Sequence, residues 1–102
     1  YDPAVPVDTF WDIGISDSTA IVMAQRVGKE IHVIDCIEGS GFEISHYAQL
    51  IKEKRYLLGK HHLPHDARAR EKATGLTCEE IVGRMFGESN VFRDFDFLTM
   101  CF

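Results

Sequence analysis

"VDTFWDIGISDSTAIVMAQRVGKEIHVIDCIE", residues 7–38, decides the fold. Three runs rich in β-branched and aromatic residues follow one another here, separated only by short polar breaks with turn chemistry. Residues 7–15 read as a first strand and residues 18–27 as a second. Gly28 and Lys29 make the turn into a third strand over 30–38, where Ile31, Val33 and Ile37 alternate with polar neighbours. Strands joined so tightly pair antiparallel, so the stretch predicts a three-strand meander, ended by Gly39, Ser40 and Gly41. Asp12 falls inside the first apolar run. A buried, unpaired carboxylate is costly, so its position predicts a compensating cation, a hydrogen-bond network or a functional cleft.

Downstream the period changes. Ile44, Tyr47, Ala48, Ile51 and then Arg55 or Tyr56 recur at helical spacing, which predicts a helix over 43–60 with Gly59 as its stop. "KHHLPHDA", residues 60–67, reads as a strand ending near Pro64 to Asp66. Thr77 with Glu80 three residues on has capping-box spacing, so 77–87 reads as a second helix, and "NVFRDFDFL", residues 90–98, as a last strand. Three strands, a crossover helix, a strand, a helix and a strand make a mixed sheet flanked by helices. In that order Asp12, near the middle of the first strand, and Asp66, at the end of the crossover strand, face each other across neighbouring strands. Paired carboxylates repel unless a cation sits between them, and hard divalent cations take oxygen ligands.

Composition bounds the molecule. At 102 residues and 45% hydrophobic content the chain supports one small domain. Its apolar runs are far shorter than the ~20 residues a membrane span needs, and no signal peptide is visible. Pro3 and Pro6 mark residues 1–6 as an extended linker, and the opening without methionine predicts a chain that begins inside a longer protein. Cys36, Cys78 and Cys101 form no CxxC pair, which fits a reducing compartment and gives no zinc-site spacing; His61, His62 and His65 lack the converging partners zinc needs. The net charge of −5 argues by itself against nucleic-acid binding. Residues 52–72 nevertheless hold seven of the eleven Lys and Arg against three acids, a local +4 on a remainder of −9. The segment reads either as a basic face or as a solvated helix surface followed by a charged loop.

"WDIGISDSTAI" (11–21), "HLPHDA" (62–67) and "YDPAVPV" (1–7) together resemble the C-terminal nuclease region of tailed-phage terminase large subunits, over roughly residues 1–87. The resemblance implies an α/β, ribonuclease H-like fold over 7–102, with 1–6 as the linker from an N-terminal ATPase domain. It also implies a metal-dependent DNA endonuclease in the bacterial cytoplasm, cutting concatemeric DNA during packaging. Asp12 and Asp66 would be the catalytic metal ligands for two Mg²⁺ or Mn²⁺ ions, Asp12 bridging both and Asp66 holding one. Asp17 is a candidate outer-shell ligand, although a simple turn explains it equally well. The family's third acid lies in a C-terminal helix, whereas this chain ends in "FDFLTMCF". Asp94 and Asp96 are the nearby substitutes, so the domain reads as C-terminally truncated and its activity as weak. His65, Arg68, Arg70 and Lys72 are expected phosphate contacts on double-stranded DNA. The implied partners are that DNA, the terminase small subunit and the portal protein, with no membrane. Two alternatives stand beside the nuclease: an impaired remnant serving as a DNA- or protein-interaction module, and an actin-like nucleotide-binding half.

Overall fold

The computed structural model describes residues 1–13, 18–41, 43–64 and 76–95. Five strands, β1 (Val7–Ile13), β2 (Ser18–Val27), β3 (Glu30–Ser40), β4 (Leu58–Pro64) and β5 (Val91–Phe95), form one mixed sheet in the order β3-β2-β1-β4-β5. β1, β2 and β3 pair antiparallel as the expected meander, and β4 and β5 add to the other side of β1 in parallel. Helix α1 (Ile44–Glu53) links β3 to β4, and α2 (Cys78–Phe86) precedes a 3-10 turn, Glu88–Asn90, and β5.

One sheet face carries the main core. Val7 and Trp11 of β1, Ile21 and Met23 of β2, Ile37 of β3 and Leu63 of β4 pack against Tyr47, Ala48 and Ile51 of α1 and Cys78 and Val82 of α2. The helical spacing of Tyr47, Ala48 and Ile51 is what turns one stripe of α1 onto the sheet. The opposite face holds a smaller cluster of Phe10, Ala24 and Val22.

α1 is shorter than its apolar periodicity predicts. It ends at Glu53 with Lys54 as C-cap, and Arg55 takes a left-handed φ of 57° that reverses the chain. Beyond it the backbone joins the sheet: the Val7 amide donates to the Leu57 carbonyl at 2.7 Å, and Val7 pairs with Leu58. Leu57 to Gly59, expected in the helix, therefore belong to the approach and start of β4. Gly59 is a close-approach glycine rather than a helix stop, because a Cβ there would strike Asp8 Oδ1 and lie 3.1 Å from the Pro6 Cβ. β4 ends at Pro64, short of the expected Asp66.

β3 also departs from simple alternation. Its register shifts between the pairs Met23–Asp35 and Ala24–Val33, leaving Ile34 as an extra residue. Before this bulge Ile31 and Val33 lie on the side away from the helices and stay exposed; after it Ile37 turns into the core. At the chain start, the Gln25 side chain accepts from the Asp2 amide and donates to the Asp2 and Val5 carbonyls, which holds the Asp2–Val5 turn on the sheet.

Candidate binding surface

Asp12 is the sixth residue of β1, on the face opposite the helices, and it is exposed. The cost of burial that made it conspicuous in the sequence is therefore not incurred. It lines a cavity of about 470 Å³ with Ser18, Thr19, Ala20, Glu38, Gly39 and Ser40. Asp12 pairs with Ala20 and Ala20 with Glu38, so the two carboxylates flank Ala20 on one face. Asp17, Asp66, His65, Arg68, Arg70, Lys72 and Asp96 lie outside the described residues, and Asp94 is placed only as a backbone position in β5. Of the expected Mg²⁺ or Mn²⁺ ligands, only Asp12 is thus described, and among the described residues no group of three or more His, Cys, Asp or Glu side chains converges.

Among the described residues the buried carboxylate is Asp8. Its Oδ1 accepts the Lys60 amide at 2.8 Å, and its Oδ2 lies 3.4 Å from Arg26 Nε. This pairing clamps the start of β1 to β4 on one side and to β2 on the other.

His61 and His62 point to opposite faces. His61 is fully buried beneath α2, its ring stacked on Phe86 at 4.3 Å. Trp11 Nε1 donates to Thr9 Oγ1 at 2.9 Å, and Thr9 Oγ1 lies 2.7 Å from His61 Nδ1. Thr9 Oγ1 thus accepts from Trp11 and shares a second hydrogen bond with His61 Nδ1, whose direction follows the His61 tautomer. Burial pushes the His61 pKa down to about 4, with His62 adding to the fall and the Asp8 charge opposing it. The relay is structural: it satisfies three polar groups inside the core.

His62 faces the other way and builds a row of rings. It stacks on Phe10 at 4.6 Å with planes 8° apart, and Phe92 of β5 follows at 6.0 Å. Lys60 Nζ stands 5.6 Å from the Phe92 centroid. Phe10 and His62 are nearly covered, whereas Phe92 is 37% exposed. The outer ring of the row is thus an accessible aromatic surface with a cation above it.

Of the two readings of residues 52–72, the described members do not assemble into a basic face. Lys52 lies over Phe86, Lys54 bonds Asp35 at 2.7 Å, and Lys60 is on the opposite face over Phe92. Asp35 also accepts from Tyr56 at 3.0 Å, and the Lys54 bond, outweighing burial, holds its carboxyl below the usual range.

The fold and these surfaces define an α/β protein with a five-stranded mixed sheet and two helices on one face. No protein-family model matches the chain. The chain is similar to two large ribosomal subunit proteins of Entamoeba histolytica, uL15A and uL15B/uL15D, each 29% identical over 79 residues, 78% of this chain. It spans about half the length of these relatives, 52% of each. This likeness corrects the expectation drawn from "WDIGISDSTAI" and "HLPHDA". The relatives are ribosomal proteins, so membership of the phage terminases, DNA endonuclease activity, and the terminase small subunit, portal and packaging-DNA partners are all set aside. A DxG on a first strand is a short signal shared by unrelated proteins, which is why it misdirects. No helix among the described residues is long and apolar enough to cross a membrane.

Proposed function

We propose that the chain is a non-enzymatic, RNA-associated structural module. The observation that carries this reading is the Phe10–His62–Phe92 row with Lys60 over its exposed end. Unpaired bases stack on aromatic side chains presented by a sheet, and a neighbouring cation answers the phosphate. The ribosomal relatives favour RNA as the nucleic acid. A net charge of −5 means that affinity must come from this local surface and must weaken with salt. Fluorescence anisotropy with a labelled single-stranded RNA tests the reading. Binding should be salt-sensitive, and Phe92→Ala should weaken it by roughly tenfold, since stacking contributes about 1–3 kcal/mol per base. Wild-type affinity in both Phe92→Ala and Lys60→Ala, or no binding at all, would overturn it.

We infer in addition that the finer fold is ribonuclease H-like. The order β3-β2-β1-β4-β5, with an antiparallel meander and two parallel additions, supports this. The topology is a scaffold used for many purposes and carries no activity with it.

A further inference from the structure

Among the described residues β3 forms one border of the sheet, with β2 as its only neighbour. It is eleven residues long, against five for β5 at the other border. Among the described residues no backbone–backbone bond outside the sheet ladders engages it, although the Cys36 amide donates to Asp35 Oδ1 at 2.8 Å. Edge strands are usually guarded by shortness, lysine or proline, and β3 contains neither lysine, arginine nor proline. The bulge at Ile34 guards only its middle. On the first half, Ile31 is 39% and Val33 62% exposed on one face. An unguarded ladder edge beside exposed β-branched side chains is the surface that strand addition uses.

Charge selects the occupant. β3 carries Glu30, Asp35 and Glu38. Asp35 is compensated by Lys54, and among the described residues Glu30 meets only His32 and Glu38 has no ion-pair partner. A second copy is disfavoured, because pairing two β3 edges would bring together two strands that each carry three acids and no lysine or arginine, and like-charge juxtaposition is costly. A lysine- or arginine-bearing strand meets neither objection. We propose that the β3 edge takes up a basic, extended peptide segment of another protein as a sixth strand, its alternate apolar side chains resting on Ile31 and Val33. This surface is separate from the Phe92 row, which lies across the sheet beyond β1, so the two proposals fail or stand independently.

The test uses the full chain with two labelled peptides of alternating sequence, Lys/Val and Glu/Val, followed by anisotropy and amide NMR shifts. The Lys/Val peptide should bind, with shifts along 30–38, and the Glu/Val peptide should bind at least tenfold more weakly. Val33→Lys, at an exposed position that leaves the core untouched, and Glu38→Lys should each weaken Lys/Val binding several-fold. Equal binding of both peptides, shifts confined to another surface, or unchanged affinity in both variants would overturn the proposal. So would concentration-dependent dimerisation through β3 without peptide.

Discussion

His61 shows how one residue ties the core to pH. Its ring sits between Thr9 and Phe86 with no water-facing side, so the fold accepts the neutral form and resists the charged one. The folded pKa of about 4 lies below the ordinary value of 6.5. Protonation therefore favours the unfolded chain: the stability His61 contributes is complete above about pH 6.5 and is lost progressively as the pH falls towards 4. The difference corresponds to about 3 kcal/mol at most. Urea midpoints measured from pH 7 down to pH 4.5 should fall, and His61→Phe should flatten that fall while lowering the pH 7 midpoint, because buried Thr9 loses a hydrogen-bond partner. A wild-type midpoint constant over the range would show that the ring is not held neutral. None of this was legible in "KHHLPHDA". Thr9 and His61 are 52 positions apart, and a His-His dipeptide gives no sign of which ring turns inward. Asp8 was hidden for the same reason, since its partners Arg26 and Lys60 come from two other strands. Asp12 drew attention instead because local alternation shows a charge among apolar residues but not which sheet face will be covered.

At the scale of elements, signals local in sequence held and those dependent on partners slipped. Thr77 caps α2 as its spacing predicts: its Oγ1 accepts the Glu80 amide at 3.2 Å and its hydroxyl donates to Glu80 Oε1 at 3.1 Å. Thr77→Ala should cost about 1 kcal/mol, read as a lower thermal midpoint, with Thr77→Asp largely restoring it. An unchanged midpoint in Thr77→Ala would mean that α2 is held by packing alone. β2 occupies the expected residues 18–27, with its turn at Gly28, whose φ of 63° suits glycine. α1 shows the limit. The apolar period runs on to Tyr56, yet the ladder between β1 and β4 claims the chain from Leu57, and Arg55 accepts a left-handed conformation to deliver it. A pairing partner fifty residues away outweighs helix propensity at the last turn.

For the whole molecule, the mixed sheet and its flanking helices follow from the order of elements, and the described strands appear in that order. Assignment of function did not follow, because the quoted motifs are short while the detectable similarity extends over 79 residues and leads to ribosomal proteins. Cooperativity should be graded across the sheet. β1 is flanked by β2 and β4 and buries Val7, Thr9 and Trp11, whereas β3 is half open. Native-state hydrogen exchange should therefore find the slowest amides in β1 and early exchange over 30–33. Amides of 30–33 as slow as those of β1 would contradict that gradient.

The extra residue at Ile34 also constrains descent. In an uninterrupted β3, residues 31, 33, 35 and 37 would share a face, and one insertion divides them into an outer pair and an inner pair. Losing that residue would carry Ile31 and Val33 under the helices and leave the rest of the strand in place, or expel Ile37 while the first half stayed. A single-codon deletion between Val33 and Asp35 would therefore require compensating changes on a whole face of the strand. Among true relatives, alignment gaps should avoid that interval.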